Sequence, residues 1–156
     1  MISVEIPGLG QMNLKHIVLD FNGTMATDGV LIPGVQERLN QLASELEVHI
    51  LTADTFGTVR DACRMINGTV TVLGQGIGAP EKESFVRRLG DQNVVAVGNG
   101  MNDRLMLKTA ALGILVLGNE GACSQAITAA DIMVGNILDG LDLLLNPKRI
   151  VATLRS

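Results

Sequence analysis

Aromatic residues are scarce in this sequence, which contains neither Trp nor Tyr and only three Phe among 156 residues. A core of this composition must be aliphatic, and continuous runs of Val, Ile and Leu are typical of parallel strands that are buried on both faces. Binding of single-stranded nucleic acid depends largely on stacking of bases against aromatic side chains. The scarcity of aromatics therefore favours a buried parallel sheet and argues against such an interface.

Basic clusters, cysteine motifs and long apolar runs are also missing. The formal net charge is −4, and adjacent basic residues occur only at 87–88 and 148–149, so the electrostatic footprint of a nucleic-acid binder is absent. Cys63 and Cys123 belong to no CxxC motif, which gives no indication of a zinc site or a disulfide framework. The longest uncharged apolar stretch, 110–117, is far shorter than the roughly 20 residues of a membrane span. We expect a cytoplasmic protein with no membrane or nucleic-acid partner.

The two histidines are predicted to be structural. His16 and His49 each stand at the start of an apolar run. If these runs are parallel strands, both histidines lie at the edge of the sheet opposite the strand ends discussed below. Satisfied structural histidines are favoured there over metal ligands.

Apolar runs alternate with segments of helical periodicity, which is the pattern of repeated βαβ units around a parallel sheet. The sequence predicts strands at 16–21, 48–52, 69–73, 94–97, 113–117 and 131–134. It predicts helices at 33–46, 55–66, 80–89, 102–110, 122–130, 137–145 and 148–154. We expect one α/β domain over residues 1–156, with a three-layer, Rossmann-like parallel sheet and helices on both faces.

Two short segments interrupt that alternation. Residues 1–12 are predicted to form an N-terminal edge strand or hairpin, because apolar and polar residues alternate before a Pro-Gly turn. Residues 23–33 are predicted to form a short flap, with Asp28-Gly29 as the hairpin signal. This segment is too short for a cap domain.

Polar residues follow three of the predicted strands directly. The first strand ends at Asp20 and continues into the turn 22–24, the second ends in 52–54, and the third runs into 98–103. Lys82 lies in the helix that precedes the third strand. Because ligands bind outside the carboxyl ends of the strands in an open parallel sheet, we expect these residues to form one site.

The residue types in this pattern suit phosphoryl chemistry. An Asp carboxylate can attack phosphorus and form an aspartyl-phosphate. Nucleophile and phosphate are both anionic, and Mg²⁺ held by Asp20 and Asp103 is the usual means of bringing them together. The Thr52 hydroxyl can donate to a phosphoryl oxygen, and Lys82 can neutralise the charge that develops there.

Each of these residues also has a plainer interpretation. Asp20 can cap a turn, Thr52 can cap the helix that begins near residue 55, and Lys82 can be a solvated helical lysine. Asp54 is favoured as a helix cap and Asp61 as part of a solvated face. The combination of motifs favours a site for the first three.

In this order, the segments Asp20-Phe21-Asn22-Gly23-Thr24, Leu51-Thr52-Ala53-Asp54, Lys82 and Gly98-Asn99-Gly100-Met101-Asn102-Asp103 resemble the four motifs of the haloacid dehalogenase (HAD) superfamily. The resemblance covers residues 16 to about 118 and is greatest to small capless members often labelled soluble P-type ATPase-like. It implies Asp20 as nucleophile, with Thr52 and Lys82 completing the catalytic set. The phosphate-binding set that it implies is Asn22, Gly23, Thr52, Ala53, Lys82 and Asn102, and the Mg²⁺-ligand set is Asp20, the main-chain carbonyl of Asn22, Asn99 and Asp103. It also implies a homo-oligomer, such as a tetramer, in which a neighbouring subunit covers the site.

Two positions depart from the pattern of the superfamily. Asn22 stands where most HAD phosphatases have an Asp that protonates the leaving group and then activates water. Loss of general acid–base catalysis typically costs about 10²- to 10⁴-fold in rate, and Asp28 in the flap is the one nearby acid that we nominate as a substitute. Asn99 replaces a further Asp, which removes one negative charge from the metal site and predicts weaker Mg²⁺ binding.

The leading functional hypothesis is a slow Mg²⁺-dependent phosphohydrolase that acts on a small phosphorylated metabolite or an acyl phosphate. The alternative is a catalytically degenerate phosphate- or nucleotide-binding protein with a regulatory role. A dinucleotide-binding oxidoreductase is a distant third, because the glycine-rich segment 74–78 is not G-x-G-x-x-G and no acidic residue ends the next strand.

Overall fold

The structure is a computed structural model that describes residues 1–54, 57–74 and 78–156. Its strands in chain order are β1 (Ile2–Ile6), β2 (Gly10–Leu14), β3 (His16–Asp20), β4 (Ala26–Thr27), β5 (Val30–Leu31), β6 (Glu47–Thr52), β7 (Thr69–Val72), β8 (Val94–Gly98), β9 (Leu112–Val116) and β10 (Ile132–Val134). Its helices are α1 (Val35–Leu42), α2 (Thr58–Ala62), α3 (Gly78–Leu89), α4 (Arg104–Thr109), α5 (Ser124–Ile127), α6 (Ile137–Leu145) and α7 (Lys148–Leu154), with 3₁₀ turns at Asp91–Asn93 and Met101–Asp103.

Six strands form one parallel sheet in the order β10-β9-β8-β3-β6-β7. All six predicted strands are therefore confirmed, and each predicted bound lies within one residue of the observed one. The central strand β3 pairs with β6 on one side and with β8 on the other. The carboxyl ends of the three strands that carry the polar motifs consequently meet at one edge.

Helices cover both faces of the sheet, as predicted. Within β3, Ile17 and Leu19 pack into an apolar cluster with side chains of α1, α2, α6 and α7. Val18 between them packs into a second cluster, with side chains of α3, α4 and α5. This alternation follows from the two-residue period of a strand, and it produces the predicted three-layer α/β architecture.

Several helices are shorter than their periodicity predicted. Helix α1 begins at Val35 rather than at Pro33, because Gly34 has a φ of 94° that no helical residue adopts. Helix α5 is a single turn, although nine residues were predicted to be helical. Helices α6 and α7 have the predicted bounds. Positions 55 and 56 of the helix predicted at 55–66 lie outside the described residues.

Two antiparallel hairpins stand apart from the six-stranded sheet. Strands β1 and β2 pair as a separate two-stranded sheet, and their inward side chains join the apolar cluster on the α1 face. Strands β4 and β5 form the flap hairpin. Its turn residues Asp28 and Gly29 have φ values of 52° and 78°, the left-handed pair that a type I′ turn requires. Among the described helices, none is long and apolar enough to cross a bilayer.

Candidate active site

All the predicted site residues except Gly23 and Asp103 line one pocket at the carboxyl edge of the sheet. Asp20 is the last residue of β3, and Thr52 is the last residue of β6. Lys82 reaches the same place from α3. The pocket has a volume of about 400 Å³ and is lined by Asp20, Asn22, Thr52, Ala53, Leu73, Gly74, Gly78, Lys82, Asn99, Gly100 and Asn102.

Lys82 is buried, with only 2% of its surface exposed. Its ammonium donates to Asp20 Oδ1 at 2.6 Å and to Asp103 Oδ1 at 2.7 Å. A lysine that is removed from water needs such partners, since an isolated buried charge is very costly. The interpretation of Lys82 as a solvated helical residue is therefore wrong.

Asp103 is fully buried beneath the pocket. Its Oδ2 accepts the backbone N–H groups of Asn99 and Gly100, each at 2.9 Å, while its Oδ1 accepts from Lys82. The Asp103 side chain can occupy this position because residue 98 is a glycine. A Cβ on residue 98 would stand 2.5 Å from Asp103 Cγ. The loop from 98 to 103 thus folds around its own terminal carboxylate.

The two carboxylates share one lysine, and this arrangement shifts the pKa values of Asp20 and Lys82. Burial, reinforced by the negative charge of Asp103, raises the pKa of Asp20 from 3.8 to about 7, although Lys82 opposes the shift. Burial alone would lower the pKa of Lys82, but the charges of Asp20 and Asp103 outweigh it and raise that pKa. One ammonium between two carboxylates leaves the cluster one positive charge short.

This donor set suits a hard divalent cation. Mg²⁺ prefers carboxylate, carbonyl and water oxygens, and Asp20 lines the pocket with Asp103 directly behind it. The carboxylate of Asp20 and the oxygens of Asp103 and of the Asn22 main chain are the groups that could hold Mg²⁺ here. Burial and, after it, the charge of Asp103 raise the pKa of Asp20 to about 7, and a bound cation would favour its charged form.

Thr52 is oriented by its own loop rather than by a helix. Its Oγ1 accepts the backbone N–H of Asp54 at 3.0 Å, so its hydroxyl hydrogen is directed elsewhere. Asp54 Oδ2 accepts from the Thr58 hydroxyl at 2.5 Å and from the backbone N–H of Val59 at 3.0 Å. The prediction that Asp54 caps this helix is confirmed, and the task of capping α2 therefore falls to Asp54 and not to Thr52.

Thr24, the last residue of the first motif, is a component of the site to which no role was assigned from the sequence. It is fully buried, and its hydroxyl lies 3.4 Å from Asp20 Oδ2 and 3.2 Å from Asn99 Oδ1. Asn99 Nδ2 in turn donates to the carbonyl of Gly121 at 3.0 Å. The Asn99 amide is thus held by protein partners at both ends, beside Gly23, whose missing Cβ would stand 2.5 Å from Asn99 Nδ2.

The end of β7 also contributes to the pocket. Leu73 and Gly74 line it together with Gly78 at the start of α3, and none of the three was predicted. Glu81 holds this loop by accepting the backbone N–H of Gly74 at 3.0 Å. The sequence could have indicated the residues at the end of β7, because this strand was also predicted and its carboxyl end reaches the same edge of the sheet. Residues 75–77 of the glycine-rich segment lie outside the described part of the chain.

Asp28, the nominated substitute acid, is exposed at the tip of the flap hairpin. It is not among the residues that line the pocket. Its backbone N–H donates to Glu120 Oε2 at 3.2 Å, which ties the flap tip to the loop after β9. In this arrangement Asp20 is the one carboxylic acid among the described lining residues.

Sequence comparison gives two archaeal relatives, whereas no protein-family model matches the chain. The uncharacterized protein MJ0073 of Methanocaldococcus jannaschii is 54% identical over 73 residues, which are 47% of this chain and 78% of that protein. The uncharacterized protein MJ0072 of the same organism is 56% identical over 39 residues, which are 25% of this chain and 89% of that protein. This chain and MJ0073 belong to one family.

Solved structures identify the fold. A 3-deoxy-D-manno-octulosonate 8-phosphate phosphatase from Moraxella catarrhalis, in complex with magnesium, phosphate and KDO, superposes with a TM-score of 0.71 at 17% identity and covers 91% of this chain and 94% of its own. The cobalt-bound phosphatase from Haemophilus influenzae gives 0.72 at 12% identity, over 92% and 94% of the two chains. A Legionella pneumophila protein described as a HAD superfamily (subfamily III A) hydrolase gives 0.67 at 19% identity, over 90% and 87%.

The chain has the HAD fold. The resemblance drawn from the four motifs is thereby confirmed at the level of architecture, and the similar lengths of these HAD structures agree with the absence of a large cap.

Proposed function

We propose that this protein is a Mg²⁺-dependent HAD phosphohydrolase that forms an aspartyl-phosphate on Asp20. The observation that carries the proposal is the buried Lys82 ammonium shared by Asp20 and Asp103 at the carboxyl edge of the parallel sheet. Strongly perturbed ionisable groups in a cleft are typical of functional sites. A purely structural ion pair would not need a second carboxylate that leaves the cluster short of positive charge.

The chain's own residues account for binding and for the first chemical step. Lys82 and the Thr52 hydroxyl would bind the phosphoryl oxygens, together with backbone groups at Gly23 and Ala53 and the side chain of Asn102. An oxygen of Asp20 attacks phosphorus, the bond between phosphorus and the leaving-group oxygen breaks, and an aspartyl-phosphate forms. A bound Mg²⁺ would neutralise the negative charge between nucleophile and phosphate.

The second step is hydrolysis of the aspartyl-phosphate, in which water adds to phosphorus and the Asp20 carboxylate leaves. In this step and in the first, the Asn22 amide can neither give nor take the proton. We therefore propose a slow enzyme whose substrates carry a leaving group that needs little protonation, such as an acyl phosphate.

The presence of Asn22 in place of an acid also favours a second candidate, a phosphate- or nucleotide-binding regulatory protein. Asn22 and Asn99 remove two carboxylates, and the Asn99 amide is engaged by Thr24 and Gly121. A protein of this kind would retain phosphate binding through Lys82 and Thr52 without turnover.

A homo-oligomer is part of the proposal, with a tetramer as the form to test first. The segments that border the site carry exposed apolar side chains, namely Val30 at 70% exposure, Met101 at 46% and Leu117 at 40%. A neighbouring subunit that covers the capless pocket would bury them. Light scattering coupled to size-exclusion chromatography measures the mass directly, and a monomer at micromolar concentration would contradict this part.

Hydrolysis of p-nitrophenyl phosphate and acetyl phosphate tests the function, because both leaving groups need little protonation. We expect Mg²⁺-dependent release of phosphate by the wild type, none by Asp20→Asn, and unchanged release by the matched control Asp61→Asn, which alters an exposed carboxylate. If none of the three proteins turns over either substrate but phosphate still binds, the hypothesis of an enzyme is wrong and that of a regulatory protein is favoured.

A further inference from the structure

A second cluster of possible metal ligands lies at the opposite edge of the sheet. It consists of His16, the first residue of β3, with Glu47 and His49 of β6. The register pairs His16 with Glu47 and Val18 with His49, so the three side chains project from the same face of two adjacent strands. With about 3.3 Å per residue, this cluster lies roughly 13 Å along β3 from Asp20.

We propose that His16, Glu47 and His49 form a binding site for a divalent transition-metal ion of the Zn²⁺ class. Imidazole nitrogens with one carboxylate are a common ligand set for Zn²⁺, whereas Mg²⁺ takes oxygen ligands almost exclusively. The two edges of the sheet would thus select different ions. The fourth coordination position would face the solvent beside Glu47, whose side chain is 73% exposed.

The spacing of the ligand atoms supports the proposal. Zn–N bonds of about 2.0–2.1 Å in a tetrahedron place ligand atoms roughly 3.3–3.4 Å apart. His16 Nδ1 lies 3.3 Å from His49 Nε2 and 3.3 Å from Glu47 Oε2, and His49 Nε2 lies 3.8 Å from Glu47 Oε2. A single hydrogen bond between the imidazoles would explain the first distance alone. Convergence of all three atoms is what a shared ion requires.

The surroundings restrain both imidazoles and favour the ligating form of His49. The side chains of His16 and His49 are only 15% and 13% exposed, and the His49 ring packs edge-on against Phe85 of α3 with ring centroids 5.5 Å apart. Burial, followed by the proximity of His16, lowers the pKa of His49. Neutral imidazole is the ligating form, so this shift favours the form of His49 that binds a metal.

An ion at this position would join the first residues of two neighbouring strands. The ion would cross-link β3 and β6 near their N-terminal ends. Because it would bind the folded state and not the unfolded one, it would raise the stability of the protein by mass action. The expected consequence is a Zn²⁺-dependent rise in the melting temperature that does not require Asp20.

The chain's composition makes the test sharp, because His16 and His49 are the only two histidines among its 156 residues. The untagged protein, stripped of metal and held in excess Mg²⁺ to occupy the oxygen site, is titrated with Zn²⁺ by calorimetry. We expect one site in the wild type. His16→Gln and His49→Gln should each weaken it by more than the roughly 10- to 100-fold that loss of an outer-shell partner costs.

Matched controls separate this site from other ligands. Glu47→Gln should weaken binding, whereas Glu45→Gln changes an exposed carboxylate two residues away and should not. Cys123→Ser tests the partly buried thiol, which should make no difference. Affinity should also fall as the pH is lowered, because protons compete with the metal for its ligands.

A measurement on the wild type guards against variants that fail to fold. The Co²⁺-loaded protein should show the intense visible bands of four-coordinate cobalt, and X-ray absorption at the zinc edge should show imidazole scattering. An octahedral Co²⁺ spectrum without imidazole scattering, or affinities unchanged in both histidine variants, would mean that the two rings merely share a hydrogen bond and would overturn the proposal.

Discussion

The Lys82 ammonium lies 2.6 Å from Asp20 Oδ1, and both side chains are almost completely removed from solvent. A buried pair of this kind gains little net stability, since desolvation offsets much of the attraction. Here the balance is poorer still, because the same ammonium must also neutralise Asp103. Folding therefore places an underneutralised carboxylate in the pocket, which is the arrangement that a cationic cofactor would relieve.

Replacing Asp20 by Asn should stabilise the metal-free protein at pH 8. The folded-state pKa of Asp20 is raised from 3.8 to about 7, chiefly by burial. Stability contributed by the protonated form is present below the unfolded pKa and is lost as the pH rises through about 7. Asn carries no charge at any pH, so Asp20→Asn should gain on the order of 1 kcal/mol or more at pH 8 and much less at pH 5.

Calorimetric melting in EDTA at the two pH values measures this difference, and Asp61→Asn is the control for an exposed carboxylate. A lower melting temperature for Asp20→Asn than for the wild type at pH 8 would show that the Lys82 contact outweighs desolvation.

Replacing Lys82 by Met should have the opposite effect on stability. The substitution leaves Asp20 and Asp103 buried without a cation, and removal of one partner from a buried ion pair costs about 3–5 kcal/mol. Lys108→Met is the matched control on an exposed helical position, for which we expect a change within about 0.5 kcal/mol. Urea unfolding at pH 8 gives both values. Equal losses in the two variants would mean that Lys82 is not the charge partner of the carboxylates.

The strands were predictable from the sequence because parallel strands buried on both faces read as uninterrupted apolar runs. Thr52 was placed beside Asp20 on the assumption that their strands are parallel neighbours, because residues at the carboxyl ends of such strands meet at one edge. The position of Asp103 depends in addition on the conformation of the loop from 98 to 103. Helix ends were predicted less well. The periodicity that suggested a helix at 122–130 does not reveal that only Ser124–Ile127 is helical.

The contacts of individual side chains could not be predicted from the sequence. Thr24 lies four residues after Asp20, and only the path of the turn at Gly23 brings its hydroxyl to that carboxylate. The meeting of His16 with His49 depends on a strand order that places β6 beside β3 and on a register that aligns their first residues. Neither can be derived from the pattern of apolar residues.

Gly98→Ala should weaken the proposed Mg²⁺ site without replacing any of its ligands. A Cβ at this position would stand 2.5 Å from Asp103 Cβ and Cγ, so the carboxylate must shift away from Lys82. Overpacking of this kind costs about 1–3 kcal/mol in stability. We also expect weaker Mg²⁺ binding, measured by calorimetry. Gly135→Ala is the control, because a Cβ there meets nothing within 4 Å, and matching Mg²⁺ affinities in the two variants would contradict the prediction.

Asn22→Asp should create the general acid–base group that the proposed phosphohydrolase lacks. Asn22 is exposed and lines the pocket beside Asp20, so a carboxylic acid there can reach a leaving group. For an alkyl phosphate, whose leaving oxygen must be protonated, we expect turnover to rise by up to about 10²- to 10⁴-fold. For acetyl phosphate the gain should be far smaller, because its leaving group needs no proton.

Steady-state rates on the two substrates distinguish acid catalysis from a simple change of charge. Asn102→Asp adds the same charge at another exposed position of the pocket and should not reproduce the selective gain on the alkyl phosphate. A pH–rate profile that acquires a new basic limb only in Asn22→Asp would identify the introduced acid as the proton donor. If Asn22→Asp folds and binds phosphate but gains no turnover, the site is adapted to hold a phosphorylated ligand, and the regulatory protein becomes the better description of this chain.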